Sequence, residues 1–293
     1  MLTNRQKGLI YGAFIGDALA LGPHWIYDTD LIEQQFAPLT DFMEPATPYH
    51  SIKGAGDFTH YGDQSLMLLK HLASYRRLDL THFKEDWINF IKYNTLYLDH
   101  ATKTSLDILT RGDGVIGSDS MELGGLVRSG PLFALTHVTV DDLLAQTHLT
   151  HNNETLDAIA LFTYRLLKYI LSGKTPSEAL DLVYPESSDI IKAYVDQGLA
   201  NIDQPPVPTI KAIGQSCSAE FGFPASIYLI VKYEDDFVEA LVQNAYAGGD
   251  SAARGMYIGM VLGAYMGYDK LPSKWIEDLN AKDTIKEALS VFE

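Results

Sequence analysis

Three segments of the 293-residue chain set carboxylates and histidines among glycines in a way that packing alone does not require. In GAGDFTHYGDQSLMLL (Gly54 to Leu69), Asp57, His60 and Asp63 recur every three residues just ahead of an apolar run. Two carboxylates and an imidazole suit metal ligation or acid–base work, although spacing alone does not make them converge. Asp63 is placed to cap the helix that follows, with Gln64 opening its first turn. The favourable field at a helix N-terminus accounts for one such carboxylate without any function.

In GAFIGDALALGPHW (Gly12 to Trp25), Asp17 interrupts an apolar run. An unpaired buried carboxylate costs on the order of several kcal/mol, so Asp17 needs donors, a cation or water. A cap on a neighbouring loop's amides would meet that need. In NAYAGGDSAARGMYIGMVLGAYMG (Asn244 to Gly267), Gly248-Gly249 permits a tight turn, and Asp250-Ser251 follows at a helix start. Gly255, Gly259 and Gly263, four apart, give that helix a small-residue face for close packing, as Gly12 and Gly16 do near the N-terminus.

The elements that must position these residues are mostly helical. Leu156, Ile159, Ala160, Leu166, Leu167, Ile170 and Leu171 follow a 3.6-residue period and predict a helix over Thr155–Leu171. Thr175-Pro176-Ser177-Glu178 carries a capping box with proline at the first helical position, starting a helix through Leu182. Phe83–Tyr97, Asp189–Leu199 and Phe237–Tyr246 look similar, and Ile227–Val231 fits either a strand or a helix. Pro38 to Gly62 and Arg111 to Gly130 are expected to be long loops, and Gln204 to Pro208 a third, stiff one. With no repeat and evenly spread helices, the expectation is one all-α domain over residues 1–293.

Composition excludes several classes. The chain is 46% hydrophobic, with 38 acidic and 22 basic residues, a net charge of −16 and a pI near 4.8. Such a surface repels phosphate backbones and argues against general nucleic-acid binding, while a pocket for one phosphorylated small molecule stays open. Cys217 is the single cysteine, which excludes an intrachain disulfide and a Cys-rich zinc module. No secretory signal is recognisable, and the apolar stretch Gly255 to Gly267 is too short and glycine-rich to cross a bilayer. A cytoplasmic protein without membrane contact is the resulting expectation; its oligomeric state is left open.

Taken together, the motifs resemble the ADP-ribosylglycohydrolase superfamily, in order, from Gly8 to about Gly267. Gly16-Asp17-Ala18-Leu19-Ala20 is similar to the family's Gly-Asp-Ala-Leu-Gly motif, and Tyr61-Gly62-Asp63 stands at its Thr-Asp-Asp motif. Leu123 to Leu135 (LGGLVRSGPLFAL), Thr150-His151 and Phe223 to Tyr228 (FPASIY) follow. Gly248-Gly249-Asp250-Ser251-Ala252-Ala253 aligns with Gly-Gly-Asp-Thr-Asp-Thr. The resemblance implies an orthogonal bundle of helices around a cleft where two magnesium ions bind the ribose of an ADP-ribosyl group. Such ions need cages of hard oxygen ligands.

This sequence departs from that cage. Gly62 and Ala252 replace two of the four motif carboxylates, Ala253 replaces a hydroxyl, and His24 stands where some members carry an acidic residue. Asp63 and Asp250 remain, enough for one magnesium ion at most, with His60 or Asp57 as further ligands. PHWIYD (Pro23 to Asp28) and GDFTHYGDQ (Gly56 to Gln64) resemble the branch that includes jellyfish J-type lens crystallins and selenoprotein J.

The resemblance thus implies a hydrolase of ADP-ribosyl or related N- or O-glycosidic small-molecule substrates with a rewired cleft. Asp63, Asp250, His24 and His60 are the expected catalytic residues. Asp17, Trp25, Asp57, Tyr61, Gly125, Ser251 and Arg254 are the expected ligand-binding set. Arg254 or Lys53 would meet negative charge, and Trp25 or Tyr61 would stack on a base or sugar. The alternative is a non-catalytic binder of an ADP-ribose-like ligand, or a structural, crystallin-like protein.

Overall fold

The first helix, α1 (Asn4–Ala20), begins at a capping box in which Thr3 and Gln6 exchange side-chain and backbone hydrogen bonds. From Gly8 to Ala20 every residue is buried, and all but Asp17 are apolar or glycine, so this part of the helix belongs to the interior. The computed structural model describes residues 1–293. The chain continues through α2 (Thr29–Phe36), α3 (His60–Tyr75), α4 (Leu80–Tyr93), α5 (His100–Arg111) and the short α6 (Gly124–Val127). Next come α7 (Val140–His148), α8 (Glu154–Leu171), α9 (Pro176–Val183), α10 (Asp189–Leu199) and α11 (Pro206–Ile213). The last are α12 (Ala219–Lys232), α13 (Phe237–Tyr246), α14 (Ser251–Met266), α15 (Ser273–Asp278) and α16 (Lys282–Ser290).

The interior is organised by α1 and α14, which run against each other with almost no side chain between them. Gly8, Gly12 and Gly16 face Gly263, Gly259 and Gly255, and a Cβ on any of the six would overlap a backbone carbonyl of the partner helix. The glycines four apart in each segment therefore serve one shared seam. Helices α3, α8, α12 and α13 pack around the pair, and one continuous apolar core runs through the chain. No helix is long and apolar enough to cross a membrane.

The sequence-based boundaries hold for α10 and α13, and to within one residue for α8 and α9. Ile227–Val231 is helical, because it completes α12, and there is no β-strand, only an isolated bridge between Glu122 and Ser218. Four expectations need correction. The loop expected from Pro38 to Gly62 ends at Thr59, because the Thr59 hydroxyl caps α3 and the helix starts at His60. The helix over Phe83–Tyr97 starts at Leu80, capped by Asp79, and ends at Tyr93, so Tyr97 lies in the following loop. Of the supposedly stiff loop Gln204 to Pro208, the part from Pro206 opens α11, prolines being tolerated where the first-turn amides have no partner. The loop after Arg111 ends at Leu123, since Gly124 to Val127 is helical.

Candidate active site

Two backbone turns create the site. Beyond α1 the chain bends at Trp25, whose φ of 64° is left-handed, and its amide donates to the Gly249 carbonyl at 2.9 Å. The Gly249 amide returns the bond to Ile26 at 2.7 Å. Gly248 and Gly249 are themselves left-handed (φ 68° and 63°), and a Cβ on either would strike the Ile26 or Gln215 backbone. His24 and Asp250 are thereby set side by side. Asp250 caps α14 through Oδ1 on the Ala253 amide (3.2 Å), and Oδ2 accepts the Tyr61 hydroxyl at 3.0 Å. The Nδ1 of His24 lies 3.8 Å from Oδ1.

Burial sets the charge states here. It pushes the Asp250 carboxyl up, against the pull of the Ala253 amide and the Arg254 charge. It drives His24 well below the usual imidazole range, helped by the charges of His50, His60 and Arg254. Neither ring nitrogen of His24 has a hydrogen-bond partner. Arg254 is fully buried, donating from Nε to Asn244 (3.0 Å) and from Nη2 to the Gly248 carbonyl, while Nη1 is free. Burial lowers its pKa to about 10, so it stays charged.

A second group of imidazoles adjoins the first. His50, from the long loop ahead of α3, places Nε2 3.3 Å from Nδ1 of His60, whose Nε2 lies 3.1 Å from Asp99. Trp25 stacks on His24 at a centroid distance of 4.3 Å and meets Tyr49 and Tyr97 edge-on at 4.9 and 5.0 Å. These three aromatics cover the histidines. On the opposite side, Glu122 accepts from the Cys217 thiol (3.3 Å) and lies 3.8 Å from His151. His151 itself pairs through Nδ1 with Thr150 at 2.8 Å. Arg128, entirely buried, is held by Gln64 and Thr150.

The residues singled out from sequence go to different places. Asp63 does not cap α3: the cap is Thr59, the helix starts at His60, and Asp63 falls within the first turn. Both of its oxygens accept from the Lys53 ammonium, at 2.8 and 2.7 Å, and Asp63 lines a separate cavity with Lys70, Phe90 and Asn94. Burial raises its pKa in spite of Lys53. Asp17 accepts the Thr59 amide (2.7 Å) and hydroxyl (2.6 Å), the loop-capping role, and burial lifts it to about 7. Asp57 accepts from the Gly54 amide and from Asn280, tying this loop to the C-terminal region. Gly125 packs against the His151 ring, where a Cβ would not fit. Tyr61, Trp25, His24, His60, Asp250 and Arg254 lie together around the two turns, and the Ser251 hydroxyl beside Asp250 is buried without a partner.

This donor set does not fit a pair of magnesium ions. Lys53 brings a positive charge onto one surviving carboxylate, and Gly62 abuts the Asp17 carboxylate, leaving no room for an aspartate side chain. No three His, Cys, Asp or Glu side chains come together as a cation cage.

Four residues of the cleft escaped the sequence reading: Tyr49, Tyr97, Asp99 and Arg128. Extending α4 through Tyr97 hid the loop that carries Tyr97 and Asp99. The available signal was Asp99 itself, an N-cap type ahead of the helical run His100–Arg111.

An all-helical core built on a glycine seam carries the Trp25 turn and the Gly248-Gly249-Asp250 turn side by side. The sequence matches the ADP-ribosylglycohydrolase family over residues 1–292, and the chain belongs to that family. It is 25% identical to crystallin J1A of Tripedalia cystophora, over 93% of this chain and 91% of the relative. It is 26% identical to the ADP-ribosyl-[dinitrogen reductase] glycohydrolase of Rhodospirillum rubrum, over 95% of this chain and 91% of the relative. A solved structure titled ADP-ribosylglycohydrolase-related protein complex superposes with a TM-score of 0.80 at 19% identity, covering 99% of this chain and 97% of the other. The chain thus has the orthogonal helical bundle of that fold.

Proposed function

We propose that this chain hydrolyses an N- or O-glycosidic bond to an ADP-ribosyl group or a related small molecule, in a cleft that operates without a dinuclear magnesium centre. One observation carries the reading. Buried polar atoms without partners occur at and near the Trp25 and Gly248-Gly249-Asp250 turns: both nitrogens of His24, His50 Nδ1, His151 Nε2, Glu122 Oε2, the Ser218 and Ser251 hydroxyls and Arg254 Nη1. Each unsatisfied group costs about 1–3 kcal/mol, a penalty that a polar ligand or bound water relieves.

The roles follow from charge state and position. His24, kept neutral by burial, is able to take a proton from an attacking water, and Asp250 stabilises the imidazolium that forms. Arg254 Nη1 offers a charged donor to a phosphoryl or developing anionic oxygen. Trp25, with Tyr49 and Tyr97, supplies flat apolar surface for a base or sugar. A single magnesium ion on Asp250 is not required by any of these roles.

A second reading is favoured by the aromatic cover over the histidines and by the crystallin relative: a protein that binds an ADP-ribose-like ligand without turnover, or none. Calorimetry with ADP-ribose, with and without magnesium, and turnover assays on ADP-ribosylated arginine and serine separate the two. Hydrolysis abolished by His24→Ala supports the enzyme. Binding without turnover supports the second reading and overturns the first.

A further inference from the structure

We infer that Tyr49 and Tyr97 form an aromatic gate, and that displacement of the two short segments carrying them opens the buried cleft to an outer cavity. That a ligand uses this path rests on the reading of the cleft proposed above; the opening itself does not.

The groups able to do chemistry are shut away from solvent. His24, Ser251 and Arg254 have no exposed surface, and Asp250 and His50 are 1% and 2% exposed. At one place the wall is a single layer of rings. Outside it lies a cavity of about 420 Å³, lined by Tyr49, Ser51, Ile52, Leu96, Tyr97 and Lys103 among others. Inside it, the same Tyr97 ring stands 5.5 Å, centroid to centroid, from both His50 and His60. Tyr49 and Tyr97 meet edge-on at 5.4 Å, and each also meets Trp25. The pair therefore divides the outer cavity from the imidazoles.

The segments that carry these rings are held more loosely than the floor beneath them. Pro48–His50 is a single 3-10 turn without a side-chain cap. It is anchored on either side, by the Ala46 amide on the Gly22 carbonyl at 3.0 Å and by Lys53 on Asp63. Between those anchors, no backbone hydrogen bond joins residues 48–52 to another element. His50 meets His60 at 3.3 and 3.4 Å, long for hydrogen bonds. Residues 95–98 make no backbone hydrogen bond at all. The floor differs: the backbone at Trp25 and Ile26 exchanges two bonds with Gly249. Segments with few backbone bonds and exposed side chains open first, and Ile52 and Tyr49 are 62% and 46% exposed. Outward movement of the turn carries Tyr49 and His50 together and uncovers His24, whose ring lies 5.5 Å from that of His50.

Carbethoxylation of the full-length, ligand-free chain with diethyl pyrocarbonate tests this at about pH 7.5, above the ordinary imidazole range, with each histidine read by peptide mass spectrometry. Rates are taken across urea concentrations below the unfolding transition. His71, 3% exposed in the body of α3, is the reference that only wider unfolding uncovers. His24 and His50 are expected to label at least about ten-fold faster than His71, at rates nearly flat in urea, because a local opening exposes little new surface. Tyr97→Ala removes one leaf of the gate and should raise both rates further, leaving that of His71 unchanged. Labelling of His24 and His50 that rises with urea as steeply as global unfolding overturns the inference from the parent protein alone, whether or not the variant folds. A folded Tyr97→Ala variant with unaltered rates overturns it as well. An inactive chain with fast, urea-insensitive labelling upholds the gate and defeats only the hydrolase reading.

Discussion

The ammonium of Lys53 sits 2.8 and 2.7 Å from the two carboxylate oxygens of Asp63, closing on itself one of the two acidic positions retained from the family's metal motifs. Both side chains are largely buried, at 17% and 14% exposure, so removing one partner strands the other. Lys53→Ala is expected to destabilise the protein by about 1–3 kcal/mol, below the 3–5 typical of fully buried pairs. Urea denaturation of the variant beside the parent measures it.

Millimolar magnesium should leave the thermal midpoint of the parent protein unchanged, because a ligand stabilises only a state that binds it. Gly62→Asp should not create a site. A Cβ there would come within 2.9 Å of Asp17 Cγ and closer still to its oxygen, setting two carboxylates against each other. That variant is expected to unfold at lower temperature and to stay insensitive to magnesium in differential scanning fluorimetry. A rise of several degrees in either protein would contradict the proposal of a site without a dinuclear centre.

Burial lifts Asp17 to about 7, compared with about 4 in an unfolded chain. Between those values the folded state binds the proton more tightly than the unfolded state, so this group's contribution to stability falls as pH rises from about 4 to 7. Asp17→Asn keeps an acceptor for the Thr59 amide and removes the titration. Relative to the variant, the parent should therefore lose stability between about pH 5 and pH 8. Parallel denaturation curves at the two pH values would show that Asp17 does not titrate there.

Gly12→Ala forces α1 away from the Gly259 carbonyl, and is expected to cost about 3 kcal/mol, the upper end of overpacking penalties. Gly114→Ala, which meets nothing within 4 Å, serves as the neutral control. Equal denaturation midpoints for the two variants would mean the seam can relax.

The seam was legible in the sequence because a spacing of four is a property of one helix, and Gly12, Gly16, Gly255, Gly259 and Gly263 each declared a close face on their own element. The triplet Asp57, His60 and Asp63 was not legible in the same way. Its regular spacing spans a loop and a helix start, and the three side chains leave in separate directions, to Asn280, to Asp99 and to Lys53. Asp250 and His24, more than two hundred residues apart, could be joined only through the likeness of whole motifs, since no local pattern relates them. The aromatic cover was hidden because Tyr49 lies in the single 3-10 turn Pro48–His50 and Tyr97 in a loop, both too short or irregular for periodicity to mark.

The pairing of α1 with α14 also governs how the molecule is born. Helix α1 is buried on every side from Gly8 to Ala20, and its glycine-lined partner α14 is translated more than two hundred residues after it. Until then only its other faces can be sheltered, by α3 and the segment Gly130–Ala134, and such sequence-distant partners make folding slow and aggregation-exposed. Nascent chains halted before Ser251 should therefore be captured by holdase chaperones, and yield in vitro should depend steeply on protein concentration during renaturation.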